Sequence, residues 1–461
     1  MFSVLRQHVS GATLFQLVAE LSWLFAAILL VIGLDGRQTG VEHSAVALLA
    51  FFFAAMIVCL NGAFGLYRRS QSLSTGAYVV RVILAPAIGI PLALLGTQFL
   101  PGPLPADDQW LLAVALALVG LLLVRHVVVL PLVGTLLPHR ILVLGTGPEA
   151  RLVEASLTAN QPLGMRLVGF YALEHSQEAV VSAGRIVSKA GPLEDVVRQL
   201  GINEIIIAVR QQRGGVLPLR GLLDCRLNGV QITDLARYFE RVHGQVPIES
   251  LKVSWLIYGQ GFRQNVLRSI VKRSFDLFVS AVLIVVTAPI LLLAGLLVAV
   301  EGGGPVIYRQ ERVGLRGHTF TVYKLRSMLQ DAELDGKPTW ASVNDARVTR
   351  VGRLIRRARI DELPQLLNVL RGEMSFVGPR PERPEFVAML TEQIPFYAVR
   401  HSVKPGLTGW AQVRYSYGAT VEQSVRKLEY DLYYVKNHTL LLDLVIMLET
   451  VRVVLLGEGA R

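Results

Sequence analysis

The sequence predicts a membrane protein of mixed α and α/β class. Its parts are a four-helix transmembrane unit (1–135), a parallel-sheet α/β domain (136–262) and a mostly helical C-terminal domain (263–461) attached through a re-entrant membrane hairpin (272–300). Three observations carry this reading. Four apolar runs of near-spanning length open the chain, strand–glycine turn–helix alternation follows, and a later apolar run is divided by a proline and flanked by basic residues on both sides. With 52% hydrophobic and 18% charged residues and a mean hydropathy of +0.46, the chain is too apolar for an ordinary soluble protein. Its 461 residues allow several domains.

The apolar runs cover Thr13–Leu34, His43–Leu60, Tyr78–Leu100 and Trp110–Val133. Each approaches the ~20 residues a spanning helix needs. Three further runs after the first argue against a cleaved signal peptide. Arg68 and Arg69 make one loop basic, whereas the loop with Asp107 and Asp108 has no Lys or Arg. The positive-inside rule then places both ends of this unit in the cytoplasm.

From His139 the pattern changes. Arg140–Leu144 reads as a strand, followed by the turn Gly145-x-Gly147-x-x-Ala150 and a helix. Strands at Arg166–Leu173 and Glu204–Val209, with a helix near Leu193–Leu200, continue a βαβ alternation, which makes this domain Rossmann-like. The glycine turn fits a dinucleotide pyrophosphate. No Tyr-x-x-x-Lys pair accompanies it, so scaffold and regulatory nucleotide roles stand ahead of nicotinamide catalysis.

The run Leu277–Val300 is long enough to cross a bilayer. Pro289 near its middle should break or kink a helix. Arg268, Lys272 and Arg273 precede the run, and Arg309, Arg312 and Arg316 follow it. One crossing would strand one basic flank outside, so two arms meeting at a break and returning to the same face are expected. Beyond the hairpin, Gly304–Gly314 and Phe320–Met328 (with Lys324 and Arg326) read as strand or loop carrying basic side chains. Lys404-Pro405-Gly406-Leu407-Thr408-Gly409-Trp410-Ala411-Gln412 is rich in turn residues and suits either a functional loop or a structural turn. Leu440–Leu456 is apolar but carries Asp443, Glu449 and Arg452. Such charges make a span costly, and a helix lying on the membrane surface is expected.

The most informative stretch runs from Arg356 to Pro381. Asp361 and Glu362 follow Arg356, Arg357 and Arg359, then an apolar helical pattern stops at Gly372 and leads into Gly378-Pro379-Arg380-Pro381. Asp361 is placed to cap this helix, with Pro364 in its first turn. Carboxylates among arginines stay ionised. That suits a nucleophile or a magnesium ligand working on phosphates near an anion-binding helix end. The net charge of +11 points to anionic lipid or phosphate-bearing substrates, and no nucleic-acid recognition motif accompanies it. Two cysteines, Cys59 and Cys225, exclude a disulfide framework and a cysteine metal site.

At these residues the chain resembles the bacterial sugar transferases, or monotopic phosphoglycosyl transferases, in their long-chain form. The resemblance rests on Lys272-Arg273-x-x-Asp276, the hairpin with Pro289, Lys324-Leu-Arg326-Ser-Met, Asp361-Glu-Leu-Pro-Gln, Val377-Gly-Pro-Arg-Pro, Lys404 to Gln412 and Lys427-Leu-Glu-Tyr-Asp431. It covers about Arg268–Leu456. Arg359 departs from the family's commoner serine and makes this site more basic. The resemblance implies transfer of sugar-1-phosphate from a UDP-sugar to undecaprenyl phosphate at the cytoplasmic face of the bacterial inner membrane, with release of UMP. It implies Asp361 as nucleophile, Glu362 as ligand to Mg2+, and Arg356 and Arg380 as phosphate-binding arginines, joined by Lys324 and Arg326. It implies Lys404, Pro405, Gly406, Thr408 and Gln412 as the donor or active-site loop. It also implies work at a lipid bilayer that starts exopolysaccharide, capsule or O-antigen assembly, and a homodimer. Two alternatives remain. A glycosyltransferase moving sugar without phosphate lacks the usual Asp-x-Asp here; a nucleotide-sensing membrane protein would make the Rossmann-like domain the working part.

Overall fold

A computed structural model describes residues 11–39, 43–63, 115–116, 119–124, 139–160, 165–173, 179–187, 191–209, 216–248, 251, 266–302, 304–329, 345, 347–415 and 420–456. The chain divides into two compact units, Met1–Arg241 and Val242–Arg461. In the first unit, the first two apolar runs form helices α1 (Gly11–Thr39) and α2 (His43–Ala63), which pack on each other. The third run lies outside the described residues, and the fourth is described only at 115–116 and 119–124.

The same unit holds a five-stranded parallel sheet. In chain order its elements are β1 (His139–Leu144), α3 (Pro148–Asn160), β2 (Met165–Tyr171), β3 (Ile186–Val187), α4 (Leu193–Gln199), β4 (Glu204–Ile207), α5 (Leu219–Leu227), β5 (Gln231–Asp234) and α6 (Leu235–His243). The spatial order is β3-β2-β1-β4-β5. Parallel neighbours need crossovers, and the intervening helices supply them. Ile141, Leu142, Val143 and Leu144 are all fully buried, as expected of a central strand covered on both faces. β3 and β5 carry no alternating apolar signal and were not legible from sequence.

One end of the sheet is held by a buried charge. Glu204 is fully buried at the start of β4. It accepts hydrogen bonds from Arg241 Nη2 at 2.7 and 2.8 Å and from Thr233 Oγ1 at 2.7 Å, and it lies 2.9 Å from His139 Nε2. Burial opposes its ionisation, but His139, Arg241 and Thr233 outweigh that and hold the carboxyl below its usual range.

The second unit opens on α7 (Val266–Glu301), 36 residues long and so ~54 Å along its axis. Among the described residues it is the one helix long and apolar enough to cross a membrane. Asp276, Ser280, Ala294 and Val298 are its buried positions, while Phe278, Val285, Leu292, Leu296 and Val300 are exposed. The expected break at Pro289 does not form: the helix continues through it. A proline removes a single amide, and both halves of α7 have packing to hold the remaining turns. Val279, Leu283 and Ile284 lie on the main core, and Ala294 and Val298 pack with Leu325 and Ile355. Two residues before the proline, Thr287 Oγ1 donates to the Leu283 carbonyl at 2.7 Å.

After α7 come the antiparallel hairpin β6 (Ile307–Val313) and β7 (Thr319–Leu325), then α8 (Arg350–Arg357), a 3-10 helix (Ile360–Gln365), α9 (Leu366–Arg371) and β8 (Ser375–Val377). The chain closes with α10 (Pro384–Gln393), β9 (Gly406–Thr408), α11 (Trp410–Arg414), α12 (Val421–Asn437) and α13 (Leu440–Leu456). The core gathers Leu366, Phe376, Val377, Trp410, Leu428, Leu432, Leu442 and Ile446, with Val246 and Ile248 from the start of the unit. Asp443, Glu449 and Arg452 of α13 are all buried, so the charges of this helix face the protein rather than water. Asp443 accepts from Tyr434 at 2.8 Å and pairs with Lys272 at 2.9 Å.

β8 and β9 pair in parallel, Ser375 with Gly406 and Val377 with Thr408. The strands and the turn after them approach closely. A Cβ at Gly378 would lie 2.4 Å from the Lys404 carbonyl oxygen, one at Gly406 2.1 Å from Gly378 N, and one at Gly409 2.2 Å from Gly378 O.

Glu204→Ala is expected to destabilise the sheet unit by about 3 kcal/mol, because it strands Arg241. A depressed carboxyl stabilises above its unfolded value and loses that contribution as pH falls. Denaturation of wild type should therefore show stability declining below the ordinary glutamate value of 4.5, and the variant should lack part of that decline.

Candidate active site

Asp361 and Glu362 lie in the first turn of the 3-10 helix, but Asp361 is not its cap. Arg359 holds that place in the left-handed region (φ 54, ψ 23) and makes no side-chain cap bond. The chain reverses within Ala358-Arg359 directly after α8, so the next helix begins two residues early, at Ile360. Gly372 ends α9 at φ 88, the left-handed stop its position suggested. The corner places α8, with Arg356 in its last turn, beside the two carboxylates.

Glu362 is the electrostatic hub. Its Oε1 accepts from Arg380 Nη2 at 2.7 Å and lies 3.3 Å from Lys324 Nζ. Its Oε2 lies 3.4 Å from Arg380 Nη1 and 3.9 Å from Arg359 Nη1. Burial works against its charge, yet Arg380 and Lys324 prevail and hold the carboxyl far below the ordinary range. Among the described residues the Asp361 carboxylate has no hydrogen bond or ion pair to the protein. Burial, then the charge of Glu362, raises its carboxyl to about 6, against the pull of Lys324, Arg356 and Arg380. Two adjacent carboxylates thus differ: one is locked in an ion-pair cluster, the other is free and close to neutrality in its titration.

β7 delivers Lys324, and the turn after β8 delivers Arg380. Asn368, fully buried, joins α9 to β7 by accepting from Tyr323 N at 3.3 Å and donating to the Thr321 carbonyl at 2.7 Å. Sequence reasoning passed over it, although a polar residue inside Leu-Leu-Asn-Val-Leu was a visible signal.

Other expected site residues lie elsewhere. Arg326 is buried and donates to the carbonyls of Val298, Gly302 and Pro305; it closes the C-terminal end of α7 rather than facing Glu362. Arg273 donates to the carbonyls of Val369 and Leu370 at 2.6 and 2.8 Å. Lys272 bridges Asp276 and Asp443, and Asp276 accepts from Ser375 Oγ at 2.8 Å and Phe376 N at 3.3 Å. These residues pin α7 to β8 and α13. In the Lys404–Gln412 stretch, Pro405 accepts from Ser375 N at 2.8 Å, Gly406 N donates to the Pro379 carbonyl at 2.9 Å, and Thr408 meets Thr450 at 2.6 Å. Gln412 donates to the Leu407 carbonyl at 3.5 Å. The stretch braces the turn that carries Arg380.

At the other glycine turn, Gly145 has φ 117, and a Cβ there would lie 2.6 Å from the Ala208 carbonyl oxygen, so close strand packing explains this glycine. The Thr146 carbonyl accepts from Val180 N at 2.9 Å, and Ala150 is fully buried. α3 then begins with Pro148, which has no amide, and Glu149, a poor pair for a phosphate.

The pattern of the family described as bacterial sugar transferase matches residues 267–457. A Caulobacter vibrioides protein named UDP-glucose:undecaprenyl-phosphate glucose-1-phosphate transferase is 46% identical over 41% of this chain and 71% of its own. A protein of the same name from Escherichia coli strain K12 is 29% identical over 97% of this chain and 96% of its own. An Aeromonas hydrophila UDP-N-acetylgalactosamine-undecaprenyl-phosphate N-acetylgalactosaminephosphotransferase is 40% identical over 52% of this chain, a match spanning 56% of that relative's length. The matched region contains Lys324, Arg356, Asp361, Glu362 and Arg380, and the chain belongs to the bacterial sugar transferase family.

Proposed function

We propose that this protein is a phosphotransferase that moves sugar-1-phosphate from a UDP-sugar to undecaprenyl phosphate, releasing UMP and starting exopolysaccharide, capsule or O-antigen assembly. The observation that carries the reading is an unpaired, buried Asp361 next to a Glu362 enclosed by Lys324, Arg359 and Arg380. Arg356, Arg380 and Lys324 hold the donor diphosphate. An oxygen of Asp361 attacks the phosphorus that bears the sugar, the bond to the UMP oxygen breaks, and a phosphosugar–aspartate remains. The phosphate oxygen of the lipid then attacks the same phosphorus and restores the carboxylate. Such splitting of one displacement into two gives ping-pong kinetics, and the cations offset charge as anions converge.

Magnesium is the metal proposed for this site. Among the described residues no group of three or more His, Cys, Asp or Glu gathers to cage a metal, but magnesium is commonly held by one or two carboxylates plus substrate phosphates. Glu362 is its proposed ligand, and when bound the ion would offset diphosphate charge.

The same proposal places the catalytic unit on the cytoplasmic face of the inner membrane. α7 stays on that face without crossing to the other, and the N-terminal unit is anchored by four spans. The support for α7 is that both ends are tied into one unit, through Arg273 and Lys272 at one end and Arg326 at the other. The Rossmann-like domain is a scaffold or a modulator, in keeping with Pro148 and Glu149 at its glycine turn.

With magnesium and donor but no lipid, wild type should release about one UMP per site and retain sugar-phosphate label. Asp361→Asn should abolish both signals in folded protein, and Glu362→Gln should lower activity and its magnesium dependence. UMP release only when both substrates are present, with no label retained, sinks the covalent route. The profile of kcat/KM against pH reports the free enzyme, so its acid limb should fall through about 6. Arg356→Ala, which removes a cation that favours ionised Asp361, should move that limb upward. For topology, a single cysteine at Pro305 in a Cys59→Ser, Cys225→Ser background should resist an impermeant maleimide on intact cells and react after lysis. Labelling of intact cells would mean that α7 crosses.

A further inference from the structure

Arg380 serves Glu362 only while its backbone stays in place, and a second arginine holds that backbone. Arg400, 5% exposed, donates through Nη2 to the Arg380 carbonyl oxygen at 2.9 Å and to Asp431 Oδ2 at 2.8 Å. Its Nε reaches the same Asp431 oxygen at 3.0 Å, and Nη1 donates to the Tyr397 hydroxyl at 3.0 Å. The guanidinium also lies 5.2 Å from the centre of the Tyr397 ring. Asp431 is 2% exposed.

A buried ion pair is weak evidence for stability, since apolar residues of similar volume often do as well. Its geometry is the informative feature. One fork is shared between α12, which carries Asp431, and the carbonyl of the residue whose own fork grips Glu362. Gly406 N, bonded to the Pro379 carbonyl, and Gly378 N, bonded to the Thr408 carbonyl, also hold this turn.

We infer that Arg400 is a positioning residue for the transfer reaction, fixing the Arg380 backbone on Asp431 so that the Arg380 guanidinium meets Glu362 and the donor phosphates. This rests on the proposed phosphotransfer at Asp361. Glu382, His401 and Lys427 also face Arg400; Tyr397 and Asp431 are its direct partners. If Arg380 swings away, Glu362 loses its 2.7 Å partner and the donor phosphates lose a cation.

The test uses the full-length protein in lipid nanodiscs. Arg400→Lys keeps the charge against Asp431 but loses the fork that bridges to the Arg380 carbonyl. Turnover should fall at least about tenfold, as a misplaced catalytic group commonly costs, with the melting temperature little changed, and in an Arg380→Ala background the same change should cost little further, because residues that act through one group are not additive. The double variant Arg400→Met, Asp431→Leu should match wild-type stability or exceed it and show the same loss of turnover. Arg400→Lys with wild-type turnover, or with its full cost still added in the Arg380→Ala background, overturns the inference, as does a double variant that folds and works normally. Should the double variant fail to fold, the Lys variant still decides. Wild-type UMP release in the same nanodiscs reports separately on the proposed reaction, so failure of that reading is distinguishable from failure of this one.

Discussion

The catalytic unit depends on where the charge of one buried carboxylate goes. Glu362 has cations within 4 Å from three separate parts of the chain: Lys324 on β7, Arg359 at the corner after α8, and Arg380 on the turn after β8. A buried carboxylate without partners would be expelled or neutralised. Here its neighbours draw a hairpin, a helix corner and a turn onto one point. Asp361 lies beside this cluster without a protein partner of its own, and it feels the charge of Glu362 as repulsion. The ion-paired carboxylate and the free one are complementary products of the same arrangement.

Much of this was legible because charge and chain-reversal signals are local. The stop at Gly372, the cationic surroundings of the Asp-Glu pair and the βαβ alternation all follow from residues a few positions apart. What was not legible depended on partners distant in sequence. Arg326 reads like Lys324 two positions away, but it lies one residue past the end of β7, where the strand's alternation no longer holds, and its side chain meets the carbonyls at the end of α7 instead of Glu362. Arg359 adopts a left-handed conformation that its sequence does not advertise, which displaced the expected cap. The charges of α13 suggested a helix lying on the membrane surface, but Asp443 is buried against Lys272 and Tyr434, and Glu449 is buried beside Arg452 of the same helix.

Pro289 gives the same lesson in another form. A proline in an apolar run signals interruption when only neighbours in sequence are considered. The helix persists because its flanking turns are held from outside, by the core at Leu283 and Ile284 and by the cluster around Ala294 and Val298. Tertiary packing routinely overrides local propensity in this way.

The interlocking glycines around the Arg380 turn have a consequence for engineering. At Gly378, Gly406 and Gly409 any chiral residue would drive a carbon into main-chain atoms of the opposite segment, and main chain cannot rotate aside as a flexible side chain can. A library that randomises these positions would consist almost wholly of misfolded members. Attempts to redirect such an enzyme to another donor therefore have to leave the turn intact and diversify side chains that project from it, or the exposed surroundings, where variation does not dismantle the backbone on which the cation sits.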